Sequence, residues 1–207
     1  MKNLFLYLIA VVTVLGYSLG ASAQGGDAQT RTILAKTAKV IGNAGGVSAS
    51  FSMHHPTNGT INGTIAVKGN KFNARTPQAI VWFNGKTQWT YMKSNDEVNV
   101  STPTLAQQQM MNPYTFINIY KKGYNLSSKK TAKGYEVHMK AQTTKQSIQE
   151  MYVTINAKTY APSYVKMKHG GKWYNISIGS LSTKKIPDSR FSFNSKEFPS
   201  AEVIDLR

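Results

Sequence analysis

The chain has 207 residues, 25 Lys and Arg against nine Asp and Glu for a formal charge of +16, and no cysteine. Disulfides and thiolate metal sites are thereby excluded, so stability must come from packing one sizeable core. A basic excess of this size draws a protein towards anionic surfaces, but the lysines are scattered in pairs such as Lys121-Lys122, Lys129-Lys130 and Lys184-Lys185, and no nucleic-acid motif accompanies them.

Lys2 precedes an apolar run over residues 4–19, and Ala21-Ser22-Ala23 offers the small residues that a signal peptidase reads. Residues 1–23 are expected to be a cleaved export signal and 24–207 one mature domain. With no cysteine after the cleavage site there is nothing to carry an N-terminal lipid, so an exported, soluble protein is expected.

Asp27 is expected to cap a helix running to about Ile41, with Ile33, Leu34, Ala38 and Ile41 on one stripe and Gly42-Asn43 as its stop. Val47, Ala49, Phe51 and Met53 then alternate as a strand does. Pro56-Thr57-Asn58-Gly59 turns the chain into a second strand with Ile61, Ile65 and Val67, and Gly69-Asn70 into a third around Phe72. After Thr76-Pro77 comes the stretch around which the chain is organised, residues 80–91. Ile80 and Trp82 share one side before Asn84-Gly85, Trp89 and Tyr91 share a side after it, and the Asn-Gly pair predicts a type I′ hairpin turn. Such a hairpin must bury a broad aromatic face, against either core or ligand. Val98 and Val100 mark a further strand.

Thr102-Pro103 and Asn112-Pro113 each set a capping side chain before proline, predicting two short helices. The first holds Leu105, Met110 and Met111. The second holds Tyr114, Phe116, Ile117, Ile119 and Tyr120, is apolar around much of its circumference, and reads as a lid. Beyond Gly123 the alternation resumes in Tyr135, Val137 and Met139, in Met151, Val153 and Ile155, in Val165 and Met167, and in Tyr174, Ile176 and Ile178, with Gly170-Gly171 turning between the last two. An antiparallel sheet of about ten or eleven strands tends to curl or close. Met53, Met139, Met151 and Met167 fall on apolar strand faces, where unbranched thioethers either fill a core or line space for varied guests.

Little in the sequence supports catalysis. Gly16-Tyr17-Ser18-Leu19-Gly20 fits a serine-hydrolase elbow but lies in the export signal. His54 and His55 are neighbours on a strand and face opposite ways, His138 and His169 are isolated, and Asp96-Glu97, the adjacent carboxylates, sit on a turn. No catalytic residue, metal site or cofactor is expected; the protein binds rather than reacts.

Three stretches carry a family resemblance. Val47 to Phe51 is similar to the first strand of the bacterial outer-membrane lipoprotein carriers, LolA and its relatives. Asn84-Gly85-Lys86-Thr87-Gln88-Trp89-Thr90-Tyr91 resembles that family's Asp-Gly-Lys-Thr-x-Trp-x-Tyr hairpin, and Phe191-Ser192-Phe193, Pro199 and Val203-Ile204-Asp205-Leu206-Arg207 resemble its C-terminal ending. The resemblance implies an α+β, mainly β fold: an incomplete antiparallel β-barrel with an N-terminal helix and a short helical lid enclosing a hydrophobic cavity. It implies a monomeric periplasmic chaperone that takes acylated lipoproteins from an inner-membrane release transporter to an outer-membrane acceptor. On this reading cavity and lid comprise Phe51, Ile65, Val67, Phe72, Ile80, Trp82, Trp89, Tyr91, Met110, Met111, Phe116, Ile119, Tyr120, Met139 and Met151. One place departs from the pattern. Where better-known members carry an Arg-Pro whose Arg holds the lid, this chain reads Lys68-Gly69-Asn70, with Arg75 the nearby candidate. The other reading is a sensor or binding module on the same barrel, for lipoprotein, another amphiphile or anionic envelope glycan.

Overall fold

The computed structural model describes residues 24–207 apart from 56–58, 106, 109–111 and 113–116. The expected export signal and the turn at 56–58 thus lie outside the described residues.

The expected first helix forms as α1, Asp27–Ile41, and buries Thr30, Ile33, Leu34, Thr37 and Ile41. Its cap is Gly26 rather than Asp27. Asp27 sits in the first turn, where a carboxylate suits the helix dipole, and its Oδ2 accepts from Arg31 Nε at 2.6 Å. Gly42 ends the helix by donating its N–H to the Ala38 carbonyl at 2.8 Å.

The alternating segments become β2 (Val47–His55), β3 (Gly59–Lys68), β4 (Lys71–Arg75), β5 (Ala79–Phe83), β6 (Gln88–Met92) and β7 (Glu97–Ser101), then β9 (Gly134–Ala141), β10 (Ile148–Ile155), β11 (Pro162–His169) and β12 (Lys172–Ile178). Three more strands raise the total to thirteen: β1 (Gln24–Gly25), β8 (Tyr124–Thr131) and β13 (Glu202–Asp205). The order is β1-β8-β9-β10-β11-β12-β2-β3-β4-β5-β6-β7-β13. Every pairing is antiparallel except β13 with β7, and the end strands β1 and β13 do not meet, so the sheet stays open. β8 escapes a reading of apolar alternation because its inward positions run Tyr124, Leu126 and then Ser128. The buried Ser128 hydroxyl is satisfied by Thr30 Oγ1 of α1 at 2.9 Å, which docks the helix on that strand.

The central hairpin is present with Trp82 opposite Trp89 and Ile80 opposite Tyr91. Its turn is not type I′, because only Gly85 has positive φ, at 100°. Four residues separate the strands instead, and the Asn84 carboxamide oxygen accepts from the N–H groups of Lys86 and Thr87 at 3.0 and 2.9 Å. Asn here acts as an Asx acceptor rather than by adopting the left-handed region.

The sheet buries both of its faces. Val47, Val67, Phe72 and Phe83 follow one another across β2 to β5 on the inner face, in one core with Leu34 of α1, Met139, Met151 and Val153. On the outer face, Ile80, Trp82, Val98 and Val100 are also buried. The C-terminal segment covers them. It continues along β2 through Gly179, Ser182 and Ile186, which donate to the Ser50, Ser48 and Gly45 carbonyls at 2.8–2.9 Å, and is held by Asp188 between Lys68 and Lys71 at 3.1 and 3.2 Å. Phe191 is fully buried, and the chain then runs parallel to β7 as β13.

Of the two short helices, the first has helical residues at 105, 107 and 108 and is capped by Thr104 rather than Thr102. Gln107 N–H donates to Thr104 Oγ1 at 3.3 Å while Thr104 N–H donates to Gln107 Oε1 at 2.8 Å, a reciprocal capping box. The second ends through residues 117–118 into a 3-10 turn, Ile119–Lys121.

Candidate functional site

Because α1 packs over β8, it fills one side of the inner face and leaves the side formed by β2, β3, β4, β11 and β12 with a cavity of about 290 Å³. The wall follows from strand periodicity. Val47, Ala49, Phe51 and Met53 come from successive inward positions of β2, Ile65 and Val67 from β3, and Phe72 and Ala74 from β4. Val165, Met167, Ile176 and Ile178 face them from β11 and β12, while Ile41 and Ile117 close one side. Among the described residues no lining residue is charged, and Ser48 and Asn112 are the polar ones. Asn112 is fully buried and donates from Nδ2 to the Asn70 carbonyl at 2.6 Å, tying the segment between the short helices to the β3–β4 turn.

Such a wall can exclude water from apolar matter, and among the described residues it turns no carboxylate, histidine or amine towards a guest. Across the sheet, on the outer face, Glu150 Oε1 accepts from Tyr152 at 2.9 Å and lies 2.8 Å from His138 Nε2. Burial pushes the Glu150 carboxyl up, but those two hydrogen bonds together with the charges of His138 and Lys140 outweigh it and hold the group below its ordinary value. Among the described residues, no group of three or more His, Cys, Asp or Glu could hold a metal ion.

The residues singled out from sequence separate into four sets. Phe51, Ile65, Val67 and Phe72 line the cavity. Met139 and Met151 are fully buried in the packed core and do not reach the wall. Ile119 and Tyr120 are also core residues, and the Tyr120 carbonyl accepts from Arg31 Nη1 at 3.2 Å, fastening the 3-10 turn to α1. Ile80, Trp82, Trp89 and Tyr91 stand on the opposite face of the sheet, away from the cavity. Trp82 meets Phe193 and Phe198 edge-on at 5.6 and 5.5 Å between ring centroids, and Tyr91 meets Phe198 at 4.7 Å. β5 is apolar on both sides, so period two alone does not say which side turns inward; Val81 and Phe83 do. Met110, Met111 and Phe116 lie outside the described residues.

Periodicity and capping rules give Asn112 no role beyond starting a helix, and give Ala74 and Leu181 no place at the wall. Asn112 is a polar residue in an apolar neighbourhood, and that contrast is its one available signal. At the departure from the family pattern, Lys68 serves the C-terminal segment, while the Asn70 carbonyl holds Asn112. Lys68 binds Asp188 and donates to the Ile186 carbonyl at 3.3 Å. Arg75 donates to Asn73 Oδ1 at 3.1 Å and lies 5.9 Å from the Trp82 ring centroid. Burial and the neighbouring Arg190 hold its guanidinium below the ordinary value, with Glu197 opposing them.

A family profile described as outer membrane lipoprotein carrier protein LolA matches residues 19–171. Among solved structures, an uncharacterized conserved protein from Thermus thermophilus has the same fold, with a TM-score of 0.60 at 10% identity over 86% of this chain and 99% of that one. A LolA superfamily protein from Nitrosomonas europaea gives a TM-score of 0.45 at 11% identity over 79% and 97%. No curated protein matches the chain in sequence. Among the described residues no helix is long and apolar enough to cross a membrane.

Proposed function

Since the chain belongs to the outer membrane lipoprotein carrier protein LolA family, we propose that it is a periplasmic chaperone that shelters lipoprotein acyl chains in the inner-face cavity and carries them from the inner to the outer membrane. The observation that carries this reading is the cavity of about 290 Å³ with, among the described residues, no charged group in its lining. Each acyl CH₂ removed from water is worth about 0.8 kcal/mol, so such a wall favours a hydrocarbon guest without any directional contact. The export signal expected at residues 1–23 supports the compartment. Loading would come from an inner-membrane release transporter and delivery would be to an outer-membrane acceptor. Turnover has no part in this role.

The test is release of newly made lipoproteins from spheroplasts by the purified protein, scored as soluble, acylated cargo bound to it. Wild-type protein is expected to yield a complex, and Ala49→Trp, which fills the cavity from β2, is expected to lose it while remaining folded. The reading fails if folded wild-type protein releases nothing from active spheroplasts, or if the filled variant carries cargo as well as wild type. Salt-sensitive binding of an acidic glycan without any acyl binding would instead identify a glycan-binding module.

A further inference from the structure

β13 occupies one end of the sheet, and among the described residues no strand pairs with its outer side. Glu202 and Leu206 donate their N–H groups to the Asp96 and Val100 carbonyls at 3.0 and 2.8 Å. In a parallel pair alternate residues bond to the same neighbour, so Val203 and Asp205 direct their backbone N–H and C=O groups to the open edge. At the opposite end, β1 covers β8 at Ser128 and Lys129.

Two further observations separate this edge from an ordinary strand end. The large hydrophobic residues exposed among the described ones are Leu105, Val203 and Leu206, at 75, 51 and 64%. Val203 and Leu206 belong to this edge, and a hollow of about 350 Å³ joins Leu206 to Pro103 and Gln107, on either side of Leu105. The second observation is electrostatic. Glu202 lies directly opposite Glu97 in the β13–β7 register, with Asp96 next to Glu97 in the chain, three of the nine carboxylates of a +16 chain, while Asp205 is paired with Arg207. Among the described residues no Lys, Arg or His forms an ion pair with Glu97 or Glu202. Like charges opposite one another on neighbouring strands repel, and a cation laid along the edge would relieve them.

We propose that the open edge of β13 is a strand-addition site for an extended, lysine- or arginine-bearing segment of a partner protein. Main-chain bonds to Val203 and Asp205 would set its register, alternate apolar side chains would rest on the face of Val203, and the cations between them would meet Glu97 and Glu202 on the other face. A second copy of the chain is disfavoured as occupant. Edge-to-edge pairing of two β13 strands would bring their carboxylates together, and the basic strand at the other end is already covered by β1.

The test uses the acetylated, amidated peptide Lys-Val-Lys-Val-Lys-Val-Lys as probe, with the Glu-for-Lys peptide and an alternately N-methylated peptide as controls. Titration is followed by fluorescence anisotropy and by amide hydrogen exchange. The lysine peptide is expected to bind, more weakly as salt rises, and to slow exchange at Val203 and Asp205 by about tenfold or more. Val203→Pro removes an outward N–H without touching the β7 ladder, and should weaken binding about tenfold or more at unchanged thermal midpoint. Should that variant fail to fold, Glu202→Lys is expected to weaken binding instead, and the exchange measurement on wild type stands by itself. Equal binding of the glutamate or N-methylated peptide, no slowing at Val203 and Asp205, or self-association as the sole event in sedimentation would each overturn the proposal.

Discussion

The indole of Trp82 meets the ring of Phe198 edge-on, at 5.5 Å and 82°, although the two residues lie far apart in the chain. This contact makes the C-terminal segment a second covering layer on the outside of a sheet whose inside already holds the core. An aromatic pair of this geometry contributes about 0.5–1.5 kcal/mol beyond its buried area. Phe191, fully buried in the same layer, carries more. Phe191→Ala is expected to cost about 3–5 kcal/mol, and Phe198→Ala less, with a red shift of tryptophan emission as Trp82 is uncovered. Chemical denaturation followed by emission checks both, and equal midpoints for Phe191→Ala and wild type would refute the covering role.

Gly63 controls the cavity from behind. A Cβ at this position would lie 2.5 Å from the Arg75 carbonyl oxygen and 2.7 Å from Phe51 Cζ. The oxygen belongs to the neighbouring strand's backbone, so the β3–β4 ladder and the Phe51 ring must both shift, and Phe51 is part of the cavity wall. Gly63→Ala is expected to destabilise the protein by about 1–3 kcal/mol, the usual range for overpacking. It is also expected to weaken binding of a fluorescent acyl probe more than an exposed control such as Thr60→Ala. Unchanged probe affinity with unchanged stability would show that Phe51 has room to spare.

How far the fold is legible in the sequence varies with the kind of signal. β2 and β10 are legible because Val47, Ala49, Phe51 and Met53, and Met151, Val153 and Ile155, alternate without interruption. β8 is not, because its third inward residue is Ser128, whose burial makes sense only once Thr30 is placed against it. β13 is short and pairs in parallel with a strand about a hundred residues earlier, a relationship that no local pattern encodes. The cavity wall is half legible for a similar reason. Phe51 and Val67 alternate with polar or small neighbours and point inward unambiguously, whereas Trp82 and Phe83 are adjacent, both buried, and face opposite ways. Trp82 carries the more conspicuous ring and Phe83 the inward position.

Asn112 is the buried polar link between the segment carrying the short helices and the β3–β4 turn, through its 2.6 Å bond to the Asn70 carbonyl. Asn112→Ala withdraws that donor, and because Asn70 is exposed and its carbonyl can turn to water, the loss is about 0.5–1.5 kcal/mol, that of one ordinary hydrogen bond. Because Asn112 also lines the cavity, the loss should appear locally before it appears globally. Amide exchange at Ile117 and Asn118 is expected to speed up relative to the β9–β10 core, where Val137 and Met151 are fully buried. A uniform change across the chain would mean that the bond stabilises the whole domain rather than fixing this segment.

The clamp on Asp188 gives the C-terminal segment an acid limit. Hydrogen bonds from Lys68 and then Lys71, reinforced by their charges, hold its carboxyl below the ordinary 3.8. A carboxylate with a lower pKa folded than unfolded contributes stability that is fully present above its unfolded value, and loses it as pH falls through the folded one. Docking of the segment should therefore be insensitive to pH from neutrality down to about 4 and weaken below that. Asp188 is exposed and its pairs are screened by solvent and salt, so the effect should be small and shrink as ionic strength rises. The measurement is Trp82 emission against pH for wild type and Asp188→Asn. Wild type is expected to show an acid limb, beginning below about pH 4, that the asparagine variant lacks. The same limb in both would assign the acid sensitivity to another group, with Glu150, held low by Tyr152 and His138, the next to replace.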